Sequence, residues 1–254
     1  MSLTLTIDGA VAHLGIDRAA KRNAFTQAMW EAFPGQLAQA VAAPGVRVVV
    51  LEAAAPGAFC AGADIGEFST GSRDPAWRAA NAAAIRRAQY ELARAEKPVI
   101  ALVEGDCIGG GCGLAIACDM RVASASARFG ITPGKLGLVY SLHDTKLLVD
   151  LVGPAQAKRI LFTAGLLDAA EAQRIGLVEI VADDARGAVA TLCAQIAAAS
   201  PHSVGASKKI VRRILDGQAD DDDASLALFG EAFTGPDFEE GVAAFLAKRP
   251  PVFG

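Results

Sequence analysis

The chain has 254 residues, of which 52% are hydrophobic and 20% are charged, and its formal net charge is -4 at pH 7. This length is sufficient for a single large hydrophobic core. The acidic balance excludes a general nucleic-acid binder, because the neutralisation of phosphates requires a basic surface.

The first part of the chain alternates strands with helices. Apolar residues alternate with polar ones on both sides of Asp8-Gly9, which predicts an opening β-hairpin. Thr26 can cap a helix that runs to about residue 42, and the proline and glycine at positions 34 and 35 should kink or divide it. The β-branched run VRVVVLE at residues 46–52 is typical of a strand that is covered on both faces.

The middle of the chain continues this alternation and contains two glycine-bearing loops. The first, FCAGADIGEF at residues 59–68, directly follows the strand at 46–52. A long alanine-rich helix begins at Pro75 and leads to residues 99–122, which read as a buried strand, three consecutive glycines and a short apolar helix. This order favours a parallel sheet with crossover helices.

The rest of the chain is mainly helical. Two short strands, at residues 120–123 and 127–129, precede a turn-rich loop at 130–141 that lies at the surface or lines a site. Helices are predicted at about residues 143–151, 155–162, 168–175, 185–199, 203–215, 222–233 and 237–248. We expect an α/β fold acting as one functional unit, with a core over residues 1–195 and a helical C-terminal region over residues 196–254.

The two glycine loops, at residues 61–63 and 109–111, each follow a predicted buried strand. If these strands are parallel neighbours, the loops meet at their carboxyl ends, where open α/β sheets bind ligands. Two backbone N–H groups that converge on one point there can hold a carbonyl oxygen as it becomes an oxyanion. Tight packing turns are the alternative for either loop alone, and it is the pairing that favours a site.

Other side chains favour neither a metal site nor a nucleophile. The five cysteines lie in apolar contexts without the CxxC spacing of a zinc site, so we expect buried, reduced thiols. Ser141, His143 and Asp144 are too close in sequence to converge as a catalytic triad. The first ten residues lack the basic and apolar regions of a signal peptide, and no apolar run is long enough to cross a bilayer. We therefore expect a cytoplasmic protein without a bound metal.

Several segments resemble the crotonase superfamily, which comprises enoyl-CoA hydratases and isomerases. They are KRNAF at residues 21–25, FCAGADIGEF at 59–68, EGDCIGGGCGLAIACDM at 104–120, FG…KLGL at 129–138 and EEGVAAFLAKRPPVF at 239–253. The resemblance implies a spiral ββα core with a helical C-terminal trimerisation region, assembled as a homotrimer or a dimer of trimers. It also implies a coenzyme A thioester substrate from fatty acid metabolism, with no cofactor other than the coenzyme A of that substrate.

Matching positions carry the family's functional residues over to this chain. By resemblance, the backbone N–H groups of Ala63 and Gly110 would hold the thioester oxygen, and Asp64 would fix the first loop. Contacts with coenzyme A are implied for Lys21, Arg22, Ala61, Asp64, Ile65, Phe245 and Lys248. The last two would reach the coenzyme A of a neighbouring subunit, whereas ordinary solvated charge is the alternative for Lys21 and Arg22.

Two positions depart from the hydratase pattern. A family hydratase holds and activates water with two glutamates, and this chain has Gly113 and Pro133 at those positions. The loop TPGKLGLVY at residues 132–140 resembles that of methylmalonyl-CoA decarboxylase, a superfamily member with an active-site tyrosine and with a glutamate in place of Gly113. Tyr140 is therefore the candidate polar group, and a rim tyrosine facing solvent is the alternative.

The resemblance implies a lyase or an isomerase. The two departures count against hydration by two glutamates and against isomerisation by a glutamate at position 133, and together with Tyr140 they favour non-hydratase chemistry such as decarboxylation. Loss of carbon dioxide from a 2-carboxyacyl thioester forms the enolate without a base, so an oxyanion hole supplies the main stabilisation. A weak acid such as Tyr140 can then complete protonation, directly or through water. A hydratase with a relocated acid/base and a catalytically silent acyl-CoA binding protein are the alternatives.

Overall fold

A computed structural model describes residues 2–254 of the chain. Its strands are β1 (Leu3–Asp8), β2 (Val11–Ile16), β3 (Val48–Ala53), β4 (Val99–Val103), β5 (Asp106–Ile108), β6 (Met120–Ser124), β7 (Arg128–Gly130), β8 (Leu167–Asp168) and β9 (Ile180–Ala182). Its α-helices are α1 (Gln27–Ala42), α2 (Ile65–Gly71), α3 (Pro75–Ala93), α4 (Gly110–Ala117), α5 (Leu142–Thr163), α6 (Ala169–Arg174), α7 (Ala185–Ala198), α8 (Pro201–Leu215), α9 (Asp223–Ala232) and α10 (Pro236–Leu246).

The central sheet has six strands in the order β1-β2-β3-β4-β6-β9, and β5, β7 and β8 form a smaller sheet beside it. β1 and β2 form the predicted antiparallel hairpin, and every other pair in the central sheet is parallel. Helices follow most strands, so the α/β prediction is confirmed. All residues of β3 and β4 are buried, which explains their almost continuous apolar sequences.

Two hydrophobic clusters cover the two faces of the sheet. The larger cluster joins one face to α1, α3 and α4 through residues such as Leu14, Trp30 and Leu114. The smaller one packs Val50 and Ile100 of the sheet against the apolar face of α7. Because both faces are covered, the ends of the strands are the places where polar loops can form a site.

The expectation that Pro34 and Gly35 could divide helix α1 is wrong, because the helix runs from Gln27 to Ala42 without a break. Thr26 caps it as expected, accepting a hydrogen bond from the backbone N–H of Met29 at 3.3 Å. Proline removes one hydrogen bond inside a helix, but Trp30, Phe33 and Leu37 of the same helix are almost fully buried. Burial of these large side chains offsets the lost hydrogen bond, and the helix is not divided.

The C-terminal part is helical, as predicted. The two helices expected at residues 143–151 and 155–162 form one element, α5, which is broken at Gly153 by a φ of 72° and a ψ of 165°. The expected boundary between residues 195 and 196 falls within α7, so the last three helices begin after that helix ends. Within the described part of the chain, no helix is both long and apolar enough to cross a membrane. All five cysteines are buried and free.

Candidate functional site

The two glycine loops meet where the central parallel strands end. β3 and β4 are parallel neighbours in the sheet, so the segments that follow them leave from the same edge. The backbone N–H of Cys60 donates to the Asp106 carbonyl at 3.1 Å, and the N–H of Ile108 donates to the Cys60 carbonyl at 2.9 Å. These two bonds join the first loop to β5, which leads directly into the second loop.

Glycines allow the two loops to touch. A Cβ atom on Gly62 would stand 3.1 Å from the backbone nitrogen of Gly110, and Gly62 has a φ of 95°, a conformation that other residues rarely adopt. A Cβ atom on Gly111 would lie less than 3.0 Å from the carbonyl oxygen of Cys60. Any side chain at either position would therefore push the two backbones apart.

The backbone N–H groups of Ala63 and Gly110 remain available at this junction. Hydrogen bonds hold the neighbours of Ala63, since Phe25 donates to the Gly62 carbonyl and Asp64 donates to the Phe25 carbonyl, both at 2.8 Å. Neither Ala63 nor Gly110 donates its N–H to an acceptor among residues 2–254. Gly110 is also the first residue of α4, where the helix dipole favours negative charge. This arrangement can hold an oxygen that gains negative charge.

Asp64 stabilises the first loop. Its side chain caps α2 by accepting from the N–H of Gly66 at 2.8 Å, and it pairs with Arg18 at 2.7 Å. The hydrogen bond from the Arg18 guanidinium lowers the pKa of Asp64 below its usual value. Both carboxylate oxygens are therefore occupied by the fold, which agrees with a loop-fixing role.

Tyr140 points into the protein beside Gly113. Its hydroxyl oxygen is buried and has no hydrogen-bond partner among residues 2–254, and it lies 3.0 Å from the point where a Cβ atom on Gly113 would stand. The alternative of a rim tyrosine with its hydroxyl in solvent is thus wrong. Burial, together with the nearby Asp144 carboxylate, raises the pKa of Tyr140 well above its usual value, so the phenol stays protonated and can donate.

Two polar residues of this region were not predicted from the sequence. Gln89 on α3 is completely buried and lies against Gly113, and Asp144 near the start of α5 is 3% exposed. Gln89 occupies the apolar stripe of α3 together with Ile85, Ala88 and Leu92, and a polar residue on such a stripe was the available signal. Asp144 was considered only as a member of an excluded triad, and its burial gave no signal, because an acidic residue in the first turn of a helix is ordinary.

Comparison with known proteins decides the family. Residues 6–254 match the family model described as enoyl-CoA hydratase/isomerase. A short-chain-enoyl-CoA hydratase of Clostridium acetobutylicum is 33% identical over 254 residues, which cover 98% of this chain and 95% of that protein. This chain belongs to the enoyl-CoA hydratase/isomerase family.

Further relatives of the family agree with this placement. A crotonyl-CoA hydratase of Syntrophomonas wolfei is 36% identical over 217 residues, covering 83% of this chain and 81% of that protein. The crystal structure of an enoyl-CoA hydratase/isomerase family protein from Hyphomonas neptunium superimposes with a TM-score of 0.97 at 41% identity, covering 100% of this chain and 98% of the other. The fold is therefore that of the crotonase superfamily, and the protein is an enzyme acting on coenzyme A thioesters.

Lys21, Arg22 and Ile65, which were predicted to contact coenzyme A, lie near the first glycine loop. The Arg22 carbonyl accepts from the N–H of Ala61 at 3.0 Å, and its guanidinium pairs with Asp106, which also binds Arg128 at 2.7 Å. Lys21 is exposed, and so is the apolar Ile65 at the start of α2.

The predicted C-terminal contacts lie elsewhere. Phe245 on α10 is 83% exposed, and it lines a groove with Phe238, Val242 and Phe253 that contains no residue of the two glycine loops. Lys248 follows α10 in a left-handed conformation with a φ of 52° and is exposed. Within one chain, these two residues are not part of the site at the strand ends.

Proposed function

We propose that this enzyme decarboxylates a 2-carboxyacyl coenzyme A thioester through an enolate held by the N–H groups of Ala63 and Gly110. The observation that carries the proposal is the buried, unpartnered hydroxyl of Tyr140 beside Gly113. A donor aimed at the position where a hydratase would carry its glutamate suits protonation of a carbon. It does not suit the removal of a proton from water, because the Tyr140 phenol has no proton to gain.

The reaction needs no base. The bond between the α carbon and the carboxylate breaks, carbon dioxide leaves, and the electron pair moves into the enolate, whose oxygen carries the negative charge. The N–H of Ala63 in the first loop and that of Gly110 at the start of α4 stabilise that oxygen more strongly in the transition state than in the ground state. Tyr140 then gives its proton to the α carbon, directly or through water, and regains one from solvent.

Hydration by the family's usual route has no acid or base in this chain, since Gly113 and Pro133 carry no ionisable group. The relatives named as hydratases nevertheless favour a second candidate, an enoyl-CoA hydratase with a relocated acid/base. The two candidates differ in substrate, because decarboxylation consumes a 2-carboxyacyl thioester and hydration consumes a conjugated enoyl thioester.

A substrate panel tests the proposal. The purified protein is incubated with 2-carboxyacyl-CoA and enoyl-CoA thioesters, and both carbon dioxide release and loss of enoyl absorbance are followed. We expect carbon dioxide release from a 2-carboxyacyl thioester. Turnover of enoyl thioesters alone would establish the second candidate, and coenzyme A binding without any turnover would indicate a silent binding protein.

Two variants test the residues of the proposal. Tyr140→Phe should lower the decarboxylation kcat by about 100- to 10,000-fold, the usual contribution of a general acid. Gly110→Pro removes an oxyanion donor and should cost at least about 100-fold. Tyr90→Phe is the matched control, because Tyr90 is the other tyrosine and is 42% exposed. A fully active Tyr140→Phe variant would refute the role of that hydroxyl.

We also propose that the site is completed by assembly into a homotrimer or a dimer of trimers. Support comes from the large apolar side chains that are exposed on α8, α9 and α10 and directly after α9: Val211, Ile214, Leu226, Phe229, Phe233, Phe245 and Leu246. Exposed apolar area of this extent is typical of an interface. In this arrangement Phe245 and Lys248 contact the coenzyme A of a neighbour, while Lys21, Arg22, Ala61, Asp64 and Ile65 contact that of their own chain.

A further inference from the structure

Trp30 on α1 lies against the glycine that carries one of the two proposed oxyanion donors. A Cβ atom on Gly110 would stand 3.1 Å from Cζ2 and 3.4 Å from Cη2 of the Trp30 indole, and 3.6 Å from the backbone nitrogen of Ala63. The edge of the indole and the two donor residues therefore surround one point. Because Gly110 is the first residue of α4, the ring supports that helix at the turn that presents the donor.

The same indole reaches the Ala63 donor through Phe25. The centroids of the Trp30 and Phe25 rings lie 4.4 Å apart, and both side chains are buried. Phe25 pairs with Ala63 through a parallel bridge. Its backbone bonds to Gly62 and Asp64, on either side of Ala63, at 2.8 Å each. A change in the position of the Trp30 ring therefore acts on both loops.

Packing alone does not explain a tryptophan at this position. Trp30 is completely buried, and its Nε1 atom has no hydrogen-bond partner among residues 2–254. Burial of an unpaired N–H group costs free energy, and leucine or phenylalanine would fill apolar space without that cost. What these smaller side chains lack is the reach of the rigid indole from Phe25 to Gly110.

We propose that Trp30 is a positioning residue: its indole sets the spacing of the Ala63 and Gly110 N–H groups, so that both donate to one thioester oxygen. The proposal rests on the oxyanion role in the proposed function and adds a residue that acts through the two donors. Such donors act at about 2.7–3.1 Å from the oxygen, so a small displacement of either one weakens the interaction. Decarboxylation and hydration both polarise this carbonyl, so the role of Trp30 is the same in either reaction.

Trp30→Leu removes the part of the side chain that touches Gly110. We expect kcat for the thioester that the substrate panel identifies to fall about 10- to 100-fold, since a displacement of about 1 Å can cost about 100-fold, while KM is nearly unchanged. Phe33→Leu is the matched control, because it removes another fully buried ring of α1 that lies 6.1 Å from the Phe25 ring, centroid to centroid. If Trp30→Leu does not fold, Trp30→Phe takes its place.

A size exchange separates positioning from general packing of the core. Gly110→Ala keeps the N–H donor but adds a methyl group 3.1 Å from the Trp30 ring, which should displace the donor and lower kcat. In Trp30→Leu/Gly110→Ala the methyl group occupies space that the indole has left. We therefore expect the double variant to have a higher kcat than the product of the two single effects predicts. Losses that simply multiply would overturn the proposal.

Acetyl-CoA labelled with ¹³C at its carbonyl carbon gives a measurement that needs no turnover. Hydrogen bonds from both donors weaken the C=O bond, so infrared difference spectra should show a lower carbonyl stretching frequency for the bound probe than for the free one. We expect Trp30→Leu to move this frequency back towards that of the free probe and Phe33→Leu to leave it in place.

The outcomes of this measurement distinguish the two proposals. An equal frequency in the parent and in Trp30→Leu would overturn the role of Trp30, whatever reaction the enzyme catalyses. A frequency that responds to Trp30→Leu, in a protein that releases no carbon dioxide, would support the role of Trp30 and leave only the proposed decarboxylation wrong. A parent protein that does not lower the frequency at all would overturn both the oxyanion donors and the residue that positions them.

Discussion

At the scale of single residues, Gly113 is the position on which the proposed chemistry depends. A glycine in the middle of α4 weakens a helix, and here it makes room for the Gln89 amide and the Tyr140 hydroxyl, which come from other elements. The glycine carries no acid or base of its own and admits two polar groups from other elements. Their presence favours a rebuilt site over one that has only lost its acid.

Gly113→Ala tests this packing. The new Cβ atom would lie less than 3.0 Å from the Gln89 amide and 3.0 Å from the Tyr140 hydroxyl oxygen. The amide is held by Asp144 and cannot move freely, so we expect a loss of about 1–3 kcal/mol in the free energy of unfolding, measured by urea denaturation. Adding Gln89→Ala should recover part of the loss, and strictly additive effects of the two changes would contradict the proposed contact.

At the scale of elements, two glycines in helices differ in the space around them: one is crowded by another part of the chain and the other is not. Gly111 in α4 faces the Cys60 backbone, whereas Gly35 in α1 is exposed and has no atom within 4 Å of its Cβ position. A backbone atom cannot turn aside as a side chain can. The start of α4 is therefore the place where the two loops are pressed together, and α1 has no comparable constraint.

Alanine substitutions distinguish these two helices. Gly35→Ala should raise the free energy of unfolding by about 0.5–1 kcal/mol, because alanine loses less entropy in a helix. Gly111→Ala should lower it by more than about 2 kcal/mol and disturb the Gly110 donor. Chemical denaturation measures both, and a Gly111→Ala protein as stable as the parent would show that the loops are not in contact.

The segment after α10 is held by the Glu240 carboxylate and by the Arg47 guanidinium, which donates to the carbonyls of Phe253 at 3.0 Å and Gly254 at 2.6 Å. Glu240 binds Arg249 at 2.6 and 2.8 Å and accepts from the N–H of Val252 at 2.7 Å. The Arg249 guanidinium, with the Val252 N–H, lowers the pKa of Glu240 to about 2. Because this pKa is depressed in the folded state, the tether is fully present above the ordinary pKa of about 4.3 and is lost as pH falls through about 2.

The amide resonance of Val252 reports on this tether. Its chemical shift should titrate with a midpoint near 2, the pKa of Glu240, and not near 4. Glu240→Gln in an Arg47→Ala background should release the segment at neutral pH and speed its trimming by a carboxypeptidase, because both of its tethers are then gone. Glu239→Gln in the same background should not. A midpoint near the ordinary glutamate value would show that the tether does not form.

At the scale of the whole molecule, the two ends of the proposed site belong to separate regions of the chain. The oxyanion donors and Tyr140 lie at the strand ends, whereas Phe245 and Lys248 lie in an exposed apolar region around α10. Assembly would bring the C-terminal residues of one chain to the site of another. A cytoplasmic location and this assembly are both predictions that await measurement.

Light scattering tests the assembly directly. We expect a mass of three or six times the 26.1 kDa of the chain. Phe229→Asp places a charge on a side chain that is 68% exposed in one chain, and it should shift the protein to smaller species and raise KM for the thioester. Glu231→Gln on the same helix is the control, and a parent protein of monomeric mass would refute both the assembly and the shared site.

The sequence by itself determined the α/β class, the hairpin and the parallel sheet, because these depend on local periodicity and on glycines that only a close backbone approach requires. The family followed from the resemblance of its motifs to the crotonase superfamily. It also located the two loops, since Gly62 and Gly110 follow buried strands. Sequence patterns did not anticipate the unbroken α1, where burial of Trp30 and Phe33 outweighs the proline.

Only the tertiary structure decided which polar groups lie beside Gly113. Gln89, Gly113 and Asp144 lie on three different helices, and no spacing in the sequence relates them. The sequence also did not decide whether Tyr140 points into the protein, since a loop residue can face either solvent or the core. Contacts among side chains from separate elements depend on how those elements pack, so the polar groups behind Tyr140 become visible only once α3, α4 and α5 are placed together.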